Sequence, residues 1–170
     1  MSERTTSTER SDFIAALAKQ RSFLRGTVEG LSDEQAQRRT TSSELCLAGI
    51  IKHVAAVEDS WVQFMLRGPG VMTFSPERME AHAQTFQVMP GESLDVLLSR
   101  YDEVARRTAE VVAEVPSLDD TQPLPDAPWF PPGARWSART VLAHILAETA
   151  QHSGHADIIR ESLDGAKTMG

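Results

Sequence analysis

At 170 residues, 41% hydrophobic and 24% charged, with a formal net charge of −7, the chain fits one globular domain large enough for a real core. The acidic balance argues against nucleic acid, which needs a concentrated basic face. No window nears the roughly 20 apolar residues of a membrane span. A single cysteine, Cys46, excludes an intramolecular disulfide, and with a polar N-terminus lacking an apolar signal segment it implies a cytoplasmic location.

Residues 1–10 read as a disordered tail before a single domain over 11–165. Ser11 or Asp12 is placed to cap a first helix running to about Glu29, with Phe13, Ile14, Leu17, Phe23, Leu24 and Val28 as its apolar side. Ser32 and Gln35 make a capping-box pattern for a short turn. Thr41 to Glu44 repeats that pattern and predicts a second long helix over about 43–66, closed by Gly68-Pro69-Gly70. Its inner face reads Cys46, Ile50, His53, Val54, Val57, Trp61 and Phe64, which leaves Glu58 and Asp59 to a solvated face. Residues 70–90 read as irregular, with a short helix at 76–84 and a surface position for His82.

A third long helix is predicted from Leu94 to about Val115. Residues 116–135 hold six of the nine prolines and read as a long ordered loop. Within it, Trp129-Phe130 is either a loop anchor or a lid. Ser137 caps a fourth long helix over about 138–163, and Gly165 closes it. No segment alternates for long enough to make a convincing strand. Four amphipathic helices imply an all-α four-helix bundle with long crossover loops.

The fourth helix carries His144, Glu148, His152 and His155 at spacings that fall within a sector of about 80° on a helical wheel. Three imidazoles and a carboxylate on one face form a ligand-presenting stripe, and Glu148 and His152, one turn apart, can converge on one ion. A further ligand must come from a neighbouring helix, and His53 on an apolar face is the candidate; alone, it is as readily a hydrogen-bonded core histidine. His144 reads as a packed or second-sphere residue. His155 is a candidate for a further ligand or an active-site acid/base, or it orients the ligands. Arg160 is either a substrate-carboxylate anchor or half of a salt bridge, and Asp157 points away from the stripe. Cys46 reads as core.

The run from Leu47 to Glu58 around His53, and the pattern from His144 through Glu148, His152, Gly154, His155, Asp157 and Arg160 to Gly165, resemble the DinB/YfiT-like superfamily. The resemblance spans about residues 12–165. It is strongest for a subgroup abundant in actinobacteria, in keeping with the excess of arginine over lysine. It implies a four-helix bundle with a three-ligand metal site, His53, Glu148 and His152. Glu at the first fourth-helix ligand position is similar to the mycothiol-dependent isomerases of the superfamily.

The expected cofactors are therefore a divalent ion and a low-molecular-weight thiol of the mycothiol kind, with an electrophile as second substrate. Zn²⁺ is the first choice of ion, with Ni²⁺, Fe²⁺ and Mn²⁺ left open. The reaction implied is S-transfer or thiol-assisted isomerisation. The alternative is a non-catalytic metal- or ligand-binding stress-response bundle, and either form is compatible with a homodimer. The paired Glu-x-x-His motifs of di-iron bundles, the zincin motif, phosphate loops and nucleophile elbows are absent.

Overall fold

Serine side chains start four of the helices, Ser75 among them, accepting from the Arg78 amide. Ser32 makes a full capping box with Gln35, Ser93 accepts from the Val96 amide and Ser137 from the Thr140 amide. The computed structural model describes residues 2–72 and 75–168. In chain order it contains α1 (Ser2–Gly26), α2 (Asp33–Ala36), α3 (Leu47–Arg67), a 3-10 turn (Pro69–Val71), α4 (Pro76–Gln84) and α5 (Leu94–Glu114). The strands β1 (Thr121–Pro123) and β2 (Arg135–Ser137) and the helix α6 (Ala138–Asp164) follow. Gly165, at φ 82°, adopts the left-handed conformation that ends α6.

The four long helices form a ring. α1 packs on α6, α6 on α3, α3 on α5 and α5 on α1. Helices α1 and α3, consecutive among the long ones, are thus diagonal, as are α5 and α6. The two diagonal steps cross the bundle through residues 27–46 and 115–137.

Three expectations change. First, α1 starts at Ser2 rather than near Ser11, so residues 2–10 continue the helix. Arg10 explains part of this: its guanidinium donates to the carbonyls of Val112 and Val115 at the end of α5, 2.6 Å in the latter case. A cation there also favours the negative end of the helix dipole. Glu9 pairs with Arg139. Second, Thr41 to Glu44 does not open α3. Its hydroxyls bond to local amides, Thr41 to Ser43 and Ser43 to Leu45, and the helix begins at Leu47. Such residues favour tight turns as readily as caps. Third, two three-residue strands do form, pairing Gln122 with Trp136 across the ends of the proline-rich loop.

The core is two apolar clusters. One includes Leu24, Val28, Ile50, Ile51, Val54, Leu97, Tyr101 and Ile159. The other includes Leu17, Trp61, Phe64, Val112, Val141, Leu142 and Ile145. Between them lies a polar layer of Arg21, Glu58, Thr108, Thr149 and Ser153, all buried. Glu58 accepts both Nε and Nη2 of Arg21 and the hydroxyl of Thr108. Its burial corrects the solvated-face reading: four residues after Val54 and three before Trp61, it faces inward. Asp59 keeps to the rim, paired with Arg107.

Removing one partner of a buried pair strands the other charge. Glu58→Leu should therefore lower unfolding free energy by about 3–5 kcal/mol in urea titration, and Arg21→Met in the same chain should recover most of the loss. Equal destabilisation in the single and double variants would contradict the pairing.

Candidate metal centre

The stripe on α6 faces α3, and the ring adjacency of these helices brings His53 to it. Donor atoms of His53, Glu148 and His152 all lie within 4.8 Å of one another. His152 Nε2 is 3.7 Å from Glu148 Oε2, and the His53 and His152 rings meet edge-on with centroids 4.9 Å apart. Both histidines are buried, while Glu148 is half-buried.

The segment before α5, read from sequence as irregular, supplies the surroundings of His53. Thr85 Oγ1 lies 2.7 Å from His53 Nδ1. The Phe86 ring stacks on the His53 imidazole, centroids 3.7 Å apart and planes 15° apart. His82, though exposed, sets its ring edge-on to His53 at 5.1 Å. Gly49 makes this approach possible, since a methyl group there would overlap the Phe86 carbonyl oxygen. Neither Thr85 nor Phe86 has a sequence signal. Gly49 does: a glycine inside an apolar helix, one turn before His53, marks a close backbone approach.

Burial holds His53 far below the ordinary imidazole range, to about 3, with His152 and His82 adding to the effect. His152 and His144 are also lowered, chiefly by burial, against the opposing pull of Glu148. These imidazoles are neutral near pH 7, the form that ligates metals. A carboxylate flanked by neutral nitrogen donors suits Zn²⁺ and other borderline divalent ions.

The rest of the stripe divides. His144 Nε2 is 3.8 Å from Glu148 Oε1, and its ring packs against Trp61 and Trp136, which stack on each other at 4.8 Å. His155 is half-buried, its Nδ1 3.5 Å from His152 Nδ1. Neither joins the converging donors. Arg160 is engaged elsewhere: Nη1 donates to the carbonyls of Thr27 and Glu29, and Nε to Asp164. These are the contacts of the salt-bridge alternative. Asp157 accepts from Thr168.

The ring stacked on His53 is Phe86, while the end of the proline-rich loop packs on His144 through Trp136. Phe130 packs toward Trp136, and Trp129 is 60% exposed. Two surface grooves, one within residues 124–133 and one between Asp33, Gln37 and residues 88–93, contain none of the three ligand candidates.

A family model described as mycothiol-S-transferase matches residues 12–165. The chain belongs to the mycothiol-S-transferase family. The family is DinB/YfiT-like, as the motifs around His53 and His152 imply. Among solved structures, a conserved protein from Enterococcus faecalis superposes with a TM-score of 0.64 at 11% identity. The match covers 92% of this chain and 97% of that one, and shows the shared bundle fold. No curated protein matches the sequence.

The lowered histidines have a thermodynamic consequence. Their folded pKa values lie below the unfolded value near 6.5, so the unfolded chain binds more protons in acid. Stability of the metal-free protein is complete above about pH 6.5 and falls as pH drops toward the folded values. Urea midpoints should decrease between about pH 7.5 and about pH 5, and less steeply in His53→Leu.

Proposed function

We propose that the protein is a metal-dependent thiol transferase. In this reading His53, Glu148 and His152 hold a divalent ion that activates a small thiol of the mycothiol class. The thiolate, its proton released to solvent, would form a bond from sulfur to an electrophilic carbon by addition or with loss of a leaving group, or would add reversibly to assist isomerisation. One observation carries the reading: two uncharged imidazoles and a carboxylate converge at a helix interface in a chain of the mycothiol-S-transferase family. When bound, such an ion lowers the pKa of a coordinated thiol, so that a thiolate exists near neutral pH without a dedicated base.

Each residue has a distinct task. His53 and His152 offer neutral nitrogen lone pairs. Glu148 supplies the one negative charge, which offsets part of the ion's charge and leaves a weaker Lewis acid than an all-histidine set would. Three donors favour an open coordination position, the arrangement of catalytic sites. That neither His144 nor His155 joins them argues against a closed structural site. His155 is assigned the acid/base role: its Nδ1 faces His152, so Nε2 is the atom that exchanges protons with substrate or solvent. The Trp61, Trp136 and His144 rings supply an aromatic wall beside Glu148.

Elemental analysis of untagged protein should find about one equivalent of divalent metal, absent from His53→Ala and His152→Ala. Chelation should abolish thiol-dependent consumption of an electrophilic probe, and restoring the metal should return it. A parent protein that neither carries metal nor takes it up on titration would sink the proposal.

A further inference from the structure

Hydrogen-bond chemistry at Thr85 determines which His53 nitrogen carries the proton. The Thr85 hydroxyl has one hydrogen. Its oxygen lies 2.6 Å from the carbonyl oxygen of His82 and 2.7 Å from Nδ1 of His53. A carbonyl oxygen only accepts, so the hydroxyl hydrogen goes to His82. The Thr85 oxygen then has only lone pairs for His53, and Nδ1 must be the donor. A neutral imidazole protonated at Nδ1 keeps its lone pair on Nε2.

We infer that Thr85 is a positioning residue that holds His53 in its Nδ1–H form, so that Nε2 is the atom offered to the metal. The inference rests on the reading of His53, Glu148 and His152 as the metal site. Two features around the hydrogen bond fit the role. The Phe86 ring, stacked on the imidazole, restricts its tilt, and stacking leaves both ring nitrogens free. The absence of a side chain at Gly49 lets the Phe86 backbone approach α3, which sets how near Thr85 comes to His53. The matching contact on the other imidazole, between His155 and His152, is 3.5 Å and weaker. The two histidine ligands are therefore oriented unequally, with His53 the better fixed. Groups that bond the far nitrogen of a ligating histidine set its tautomer and basicity, and their loss weakens metal affinity by about 10–100-fold.

The test uses Thr85→Val, which keeps the shape and removes the hydroxyl, and Thr85→Ser, which restores it. Imidazole nitrogen NMR of the metal-free parent should show His53 protonated at Nδ1. Thr85→Val should lose that preference and Thr85→Ser should keep it. In competition with a chelator, Thr85→Val should bind Zn²⁺ about 10–100-fold more weakly than the parent, and Thr85→Ser nearly as well. His53 protonated at Nε2 in the parent, or a Thr85→Val variant unchanged in both readouts, would overturn the inference. A parent that binds no Zn²⁺ would remove the metal reading, while the tautomer measured without metal would still decide what Thr85 does.

Discussion

A carboxylate with no exposure to solvent must be neutralised within the protein, and Glu58 meets its guanidinium partner across the diagonal of the bundle. Arg21 on α1 and Glu58 on α3 belong to helices that are not ring neighbours, so the pair reaches through the centre. Such a pair adds little net stability, because desolvation offsets its attraction. What it constrains is register. Shifting α1 by one turn would put Leu17 or Leu24 against Glu58 and leave two buried charges unmet. Thr108, Thr149 and Ser153 complete the same level from α5 and α6, so all four helices are indexed to one polar layer between two apolar clusters.

The metal candidates flank that layer. Glu148 immediately precedes Thr149, His152 precedes Ser153, and His53 lies just over one turn from Glu58. Aligning the buried polar residues therefore also aligns the ligands. The last adjustment comes from outside the four long helices. Residues 82–86 press onto α3 over Gly49 and bring a hydroxyl and a phenyl ring to His53. The scaffold sets the distance between the candidate donors, and a short connection sets the contacts around one of them, His53.

Much of this was legible in the sequence because helical periodicity reports which residues share a face. The stripe from His144 to His155 was readable from spacing alone. His53 needed only the inference that a neighbouring helix must complete the set. Periodicity says less about a polar residue amid an apolar face, and Glu58 was misplaced because its partner, Arg21, lies 37 positions away. Thr85 and Phe86 sit in a segment with no repeat, where contacts depend wholly on tertiary docking. Arg160 had two uses compatible with the pattern, and the carbonyls ending α1 claim it. Thr41 to Glu44 shows a similar ambiguity, since the same hydroxyls serve a helix cap or a tight turn.

The ring order of the helices also bears on how the protein is made. Helix α6 leaves the ribosome after the other three long helices, yet it lies between α1 and α3. Until it arrives, the nascent chain has a groove where the fourth helix belongs, lined by apolar residues of both flanking helices. The gap closes through contacts of α6 with the much earlier helices α1 and α3, the costly long-range kind. His53 waits in that groove for Glu148 and His152. The three candidate donors therefore come together only when α6 docks, and a chain truncated ahead of Ala138 would keep one of them, His53, and an uncovered core.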